Sequence, residues 1–148
     1  MGKPMTMKDY FYQAFTINGL IESNRFEVER LRSLASSMSG SDLTKPLVKS
    51  QAQKGCLEDT VALIADLEAN IVADINKCLR LKRQMRRIIN AVENPKLKLV
   101  LQKRYIELKK WDEVAAEMKY NTRRVTQLHG QALAIAEKVA KNYALVFL

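Results

Sequence analysis

Apolar residues recur every three or four positions along two long stretches of the chain, and this spacing predicts two amphipathic helices. The first helix is expected to begin near Thr6, which suits the N-cap position, and to end within the serine-rich residues 36–41. The second is expected from about Leu57 to Val92, where six successive heptad positions carry an apolar residue or cysteine. These six are Leu57, Ile64, Ile71, Cys78, Met85 and Val92.

The stretch between the two helices contains Gly40, Pro46 and Gly55 and has no sustained period, so a linker is predicted at about 37–55. Each apolar stripe needs a partner in water. The sequence therefore predicts a long antiparallel helical hairpin, similar to a coiled coil, over residues 6–93. The partner of a stripe is the other helix of the same chain, a second copy, or both.

A module of shorter helices is predicted to follow over residues 94–148, because Pro95 ends the second helix and suits the first turn of a new one. Its three segments cover about 95–108, 112–118 and 122–142. The last two are separated by a turn at 119–121, and Asn121 suits the N-cap of the final helix. A short helix, a three-residue turn and a capped helix form the layout of a helix-turn-helix, so the whole chain is expected to be all-α.

Charge is distributed unevenly along the chain, which carries a formal net charge of +9. Residues 1–76 contribute −2, whereas 77–93 contribute +5 and 94–148 contribute +6. A cationic carboxy-terminal half suits a polyanionic partner, because lysine and arginine release counterions condensed on phosphates. The alternative is a solvated basic face.

The final predicted helix places Arg123, Arg124, Thr126 and Gln127 on the outward side, between the inward Val125 and Leu128. Such side chains donate hydrogen bonds to guanine or adenine edges and to phosphates, and base contacts arise in the first turns of a recognition helix. The predicted DNA-binding residues are Lys110, Lys119, Thr122, Arg123, Arg124, Thr126, Gln127 and Gln131. A second basic cluster either adds phosphate contacts or is a solvated helix face, and it consists of Lys82, Arg83, Arg86 and Arg87.

Several short motifs in this module resemble region 4 of bacterial sigma factors, which recognises the −35 promoter element and touches RNA polymerase. They are Arg104-Tyr105, Trp111-Asp112-Glu113-Val114-Ala115, Tyr120-Asn121, and Val125, Leu128, Ala132 and Leu133 at their mutual spacing. The layout is similar to phage and prophage late-gene transcriptional regulators of the RinA/ArpU type. The resemblance covers about residues 91–136. It implies that Thr122, Arg123, Thr126 and Gln127 lie at the places that meet the −35 bases and nearby phosphates.

The sequence departs from the sigma-factor pattern at two positions of this module. Sigma factors usually have glycine where Lys119 stands and an acidic residue where Arg123 stands. An arginine in place of an acid changes base preference, so the resemblance does not imply a standard −35 sequence.

Other residues give no indication of enzyme chemistry. Cys56, Cys78 and His129 do not complete a usual zinc set, and no phosphate loop or catalytic triad is recognisable. No catalytic residue, metal or cofactor is therefore predicted. Trp111 is expected to pack in the core, and His129 to face solvent or touch phosphate.

The sequence therefore predicts a sequence-specific transcription regulator that binds double-stranded DNA in the cytoplasm of a bacterial host and has no membrane segment. The expected further partners are bacterial RNA polymerase and a second copy, bound through the long helices. Two alternatives stay open: a phage DNA-packaging protein resembling a small terminase, and a helical adaptor that binds an acidic protein.

Overall fold

The computed structural model describes residues 4–39 and 51–143, and every regular element within these ranges is helical, so the predicted all-α class is confirmed. The elements are α1 (Met7–Ser39), α2 (Gln51–Ala91), α3 (Pro95–Leu101), a π-helical turn (Gln102–Ile106), α4 (Trp111–Met118) and α5 (Thr122–Tyr143). The middle of the predicted linker, 40–50, lies outside the described residues. The prediction of 37–55 is too long at both ends, because α1 continues to Ser39 and α2 begins at Gln51.

The start of α1 is fixed by a reciprocal pair of hydrogen bonds, as the sequence predicts. The backbone N–H of Asp9 donates to the Thr6 hydroxyl oxygen at 3.1 Å, and the Thr6 N–H donates to the Asp9 carboxylate at 3.2 Å. Two N–H groups that the helix leaves unsatisfied thereby find acceptors. The hydrogen bonds from Thr6 also lower the pKa of Asp9.

The predicted helix over 95–108 is wrong in its second half. The α-helix ends at Leu101, and the π-helical turn follows, with the Glu107 N–H donating to the Gln102 carbonyl at 3.0 Å. The wider turn buries the adjacent Tyr105 and Ile106. Leu108, expected to point inward, is instead only half-buried and has a φ of 58°. Spacing in the sequence did not reveal this turn, because a helical pattern assumes 3.6 residues per turn throughout.

The chain divides into two compact units, Met1–Ile17 with Cys78–Leu148, and Asn18–Lys77. This division differs from the predicted modules, 6–93 and 94–148. We call the first of these the basic unit and the second the arm unit, and α1 and α2 each contribute residues to both.

The basic unit contains the main core of the protein. The ten largest side chains that are fully buried within the described ranges all belong to it. They are Phe11, Met85, Ile88, Ile89, Val92, Val100, Leu101, Tyr105, Val114 and Val125. Because Phe11 comes from the amino-terminal helix, the core of the carboxy-terminal helices is completed by the beginning of the chain.

The arm unit has a thinner core. Its buried apolar residues within the described ranges are Ile21, Val28 and Leu31, all on α1. On α2 the predicted heptad residues Leu57, Ile64 and Ile71 are only half-buried. Arg32 of α1 forms an ion pair with Glu68 of α2. Over 4–39 and 51–143, no helix combines the length and the apolar character that crossing a bilayer requires.

Candidate nucleic-acid interface

The turn between α4 and α5 is held by backbone hydrogen bonds. The Tyr120 N–H donates to the Ala115 carbonyl at 3.0 Å, and the Lys119 N–H donates to the Ala116 carbonyl at 3.3 Å. This bonding closes α4 with Lys119 in the left-handed conformation, at a φ of 60°. Glycine adopts that conformation without steric cost, whereas a lysine there is strained.

Asn121 caps the start of α5, as predicted from the sequence. Its side-chain oxygen accepts a hydrogen bond from the Arg124 N–H at 2.8 Å. Its own carbonyl accepts from the Val125 N–H at 3.2 Å, which is the first turn of the helix. The cap therefore fixes where α5 begins and which side chains its first two turns present.

One face of α5 is buried and the opposite face is exposed. The buried side consists of Val125, Leu128, His129, Ala132, Ala136 and Ala140. All eight predicted DNA-binding residues are exposed: Lys110, Lys119, Thr122, Arg123, Arg124, Thr126, Gln127 and Gln131. The Thr126 hydroxyl donates to the Thr122 carbonyl at 2.9 Å, so its oxygen remains available as an acceptor. The exposed face thus offers several donors to a partner.

The cations around the turn fall into two groups. Lys103 and Lys109 lie against Glu117, and Lys109 also pairs with Glu107 at 3.3 Å. The hydrogen bond between Lys109 and Glu117 raises the pKa of the lysine and lowers that of the carboxyl. The positive charges of these two lysines are therefore balanced by carboxylates of the protein itself.

The positive charges of the second group are not balanced in this way. Lys110, Lys119, Arg123 and Arg124 form no ion pair with any residue in 4–39 or 51–143. All four are exposed: Arg123 and Arg124 lie on the first turn of α5, Lys119 lies in the turn before it, and Lys110 lies at the start of α4. An exposed set of unpaired cations beside hydrogen-bond donors is a surface that can bind a polyanion.

The second basic cluster, on α2, is also accessible. Arg83, Arg86 and Arg87 are exposed, and Lys82 is half-buried. Over the described ranges none of the four forms an ion pair. The cluster belongs to the basic unit, like α5.

His129 does not face solvent or phosphate, contrary to the sequence expectation. Its side chain is buried on the inner side of α5, where Nε2 lies 2.6 Å from the Tyr105 hydroxyl. Burial is the main cause that lowers the His129 pKa to about 4, and the nearby charges of Lys8 and Arg104 add to it. Burial raises the pKa of Tyr105 to about 12. The neutral hydrogen-bonded pair joins α5 to the π-helical turn.

Arg104 is held between two aromatic rings. Its guanidinium carbon lies 4.3 Å from the centre of the Phe15 ring and 4.4 Å from that of Trp111. One guanidinium nitrogen donates to the Lys109 carbonyl at 2.8 Å. Trp111 also packs edge-on against His129 at 4.6 Å between ring centres, but it is only half-buried and not part of the core in which it was expected. Arg104 therefore acts in packing, with its guanidinium group against the rings of Phe15 and Trp111, rather than on the exposed surface.

Comparison with known families places the chain in one of them. Residues 37–137 match the family model described as a protein of unknown function, DUF1492. This match covers about two thirds of the 148 residues. The chain belongs to the DUF1492 family. No curated protein and no solved structure matches it.

The DUF1492 match includes α4, the turn and the first part of α5, but it begins after the aromatic residues of α1. In this family member the ring of Phe11 stacks on Tyr105 at 4.9 Å between ring centres, and that of Phe15 meets Tyr105 edge-on at 6.1 Å. Sequence reasoning missed this contact. The aromatic residues at 10–12 and Phe15 were the feature of the sequence that could have indicated this contact. A hairpin seam alone does not require so many aromatic side chains.

Proposed function

We propose that this DUF1492 protein is a sequence-specific DNA-binding transcription regulator, with α5 as its recognition helix. In this proposal α4, the turn at 119–121 and α5 form a helix-turn-helix similar to sigma region 4. Arg123 and Gln127 meet base edges in the major groove, and Lys110, Lys119 and Arg124 meet phosphates. Arginine pairs with guanine and glutamine with adenine through two hydrogen bonds each.

The observation that carries the proposal is the first two turns of α5. Their outer face is exposed and holds hydrogen-bonding side chains, while Val125 and Leu128 anchor the inner face in the core. The arginines there have no carboxylate partner within the described ranges. A stable helix that presents unpaired cations suits phosphate and base contacts better than a purely structural role.

The arm unit has a different role in this proposal. We infer that α1 and α2 form an antiparallel hairpin there that binds a second copy of the chain or bacterial RNA polymerase. The Arg32–Glu68 ion pair supports the hairpin. Exposed apolar side chains support a protein partner, since Phe26 is 69% exposed and Val72 58%. From its sigma-like motifs we also propose that the protein is encoded by a phage or prophage.

The proposal is tested by substituting the two predicted base-reading residues together. Arg123→Ala with Gln127→Ala is expected to weaken binding to genomic fragments selected by the wild-type protein. Two base contacts at roughly 1–3 kcal/mol each predict a loss of between about thirtyfold and about twenty-thousandfold. Binding is measured by fluorescence anisotropy at physiological salt.

A matched control lies on the same helix, where Lys138 and Asn142 are also exposed. Lys138→Ala with Asn142→Ala is expected to leave affinity nearly unchanged. Equal losses in both double variants would contradict the assignment of the recognition face. A large ring in light scattering would favour DNA packaging, and binding to an acidic protein without any DNA binding would favour an adaptor.

A further inference from the structure

A row of arginines runs along α2 on the side opposite its buried face. Arg80, Arg83 and Arg87 are spaced three and four residues apart, so they lie on one helix face over about 10 Å. The other face of this helix segment is buried and carries Cys78, Leu81, Met85 and Ile88. Asn90, three residues further on and also exposed, extends the row by one hydrogen-bonding side chain. We call Arg80, Arg83 and Arg87 the arginine row.

The charge of this helix segment is not balanced within the protein. From Lys77 to Arg87 there are six lysines and arginines and no acidic residue. The three arginines of the row are exposed, and over 4–39 and 51–143 none of them forms an ion pair. Like charges three or four residues apart repel each other on a helix. A polyanion bound along the row would relieve this repulsion.

The row belongs to the same compact unit as α5. The end of α2 lies beside the second half of α5, because Ala91 lines one groove together with Ile135 and Val139. A DNA duplex is a continuous polyanion, with one phosphate per 3.4 Å of axis on each strand. A duplex longer than the site on α5 therefore has further phosphates available for cations elsewhere on this unit.

We propose that the arginine row is a second DNA-binding surface, which contacts phosphates outside the bases read by α5. The inference rests on the DNA binding proposed above and adds Arg80 and a defined helix face to it. The segment of α2 from Lys77 to Ala91 contains no aromatic residue, whereas protein interfaces concentrate their binding energy in buried aromatic anchors. Phosphates require only donors and positive charge, which is what this face provides.

The test uses the full chain with Arg80→Gln, Arg83→Gln and Arg87→Gln combined. The probe is an arbitrary duplex of about 30 base pairs, and its affinity is measured over a range of salt concentrations. Each lost phosphate contact makes the negative slope of log K against log salt shallower by about 0.9, so we expect the slope to become less negative by about 2 to 3. The preference for a selected fragment over the arbitrary duplex is expected to stay unchanged, because the row reads no bases.

The control removes the same charge from the arm unit, with Arg25→Gln, Arg30→Gln and Lys54→Gln. These three residues are exposed as well. The control is expected to keep the wild-type slope, and equal slopes in the two triple variants would overturn the inference. Circular dichroism at each salt concentration shows whether a variant is folded.

Failure of this inference is distinguishable from failure of the proposed function. The inference alone fails if the wild type binds DNA, the Arg123/Gln127 double variant does not, and the row variant keeps the wild-type slope. In that case α5 is a DNA-binding surface and the arginine row is not. If the wild type binds no duplex at any salt concentration, both proposals fail.

Discussion

The two units of this protein differ in charge and in core. The basic unit has 18 lysines and arginines against 7 acidic residues, a net charge of +11, whereas the arm unit has 7 against 9, a net charge of −2. The basic unit holds all ten of the largest fully buried side chains described. In contrast, six of the ten large apolar side chains found exposed belong to the arm unit.

This difference indicates two kinds of surface. A well-packed core fixes the helices of the basic unit that carry the unpaired cations, as the proposed DNA-binding surface requires. The arm unit leaves apolar side chains in water, including Phe26, Leu20 and Leu34, which suits a protein partner. Positive charge and tight packing therefore occur together in one unit.

The largest expected effect comes from Phe11→Ala in the basic unit. Phe11 is fully buried and stacks on Tyr105, so the substitution should cost about 3–5 kcal/mol of unfolding free energy. Leu31→Ala in the arm unit should cost about 2 kcal/mol, because this unit has few buried apolar residues in the described ranges and can relax around the cavity. Urea unfolding is followed by circular dichroism and by the fluorescence of Trp111, the single tryptophan. Equal costs would contradict the difference in packing.

The buried His129 predicts a dependence of stability on pH. Its folded pKa of about 4 lies below the ordinary value of 6.5, so below pH 6.5 the unfolded chain binds a proton that the folded one excludes. Stability should therefore fall as the pH drops from 6.5 to 4, by roughly 2 kcal/mol after allowance for solvent screening. His129→Gln should show a shallower decrease, because only the carboxyl groups then titrate. Identical pH profiles for the two proteins would show that His129 is not held neutral.

Lys119→Gly should stabilise the protein by about 1 kcal/mol. A lysine at a φ of 60° meets a steric cost that glycine avoids. Lys119→Ala is the matched control, since it removes the charge and keeps the Cβ atom, and it should give no such gain. Thermal unfolding measures both variants, and a gain in the alanine variant would point to charge repulsion instead of backbone strain.

The smallest effect is expected from glycines inside helices. A Cβ atom added at Gly19 or at Gly130 meets no atom within 4 Å, so each change to alanine should stabilise the protein by about 0.5–1 kcal/mol. Gly130 lies three residues after Gln127 on the exposed side of α5. Gly130→Ala should also lower DNA affinity, because the added methyl group lies on the face of α5 proposed to contact DNA. Gly19→Ala should not, because Gly19 belongs to the arm unit. Loss of affinity in both variants would argue against α5 as the contact surface.

Periodicity in the sequence was sufficient to predict that the chain is helical and which face of α5 is exposed, but not all of the helix bounds. Apolar spacing gave the inner positions Val125 and Leu128, and capping chemistry gave Thr6 and Asn121, because these features depend on neighbours within one turn. The aromatic packing of Phe11 and the burial of His129 depend on contacts between residues far apart in sequence. The π-helical turn at 102–106 also escaped prediction, since a single wide turn leaves no periodic signal.

We propose that DNA binds to the basic unit, on the exposed face of α5. The most direct test is a titration of the ¹⁵N-labelled protein with a selected DNA duplex, followed by the NMR shifts of backbone amides. We expect the largest shifts within 119–131, smaller ones along Arg80–Asn90, and none in the core of the arm unit. Shifts confined to residues 18–77, or no shifts at physiological salt, would contradict the claim.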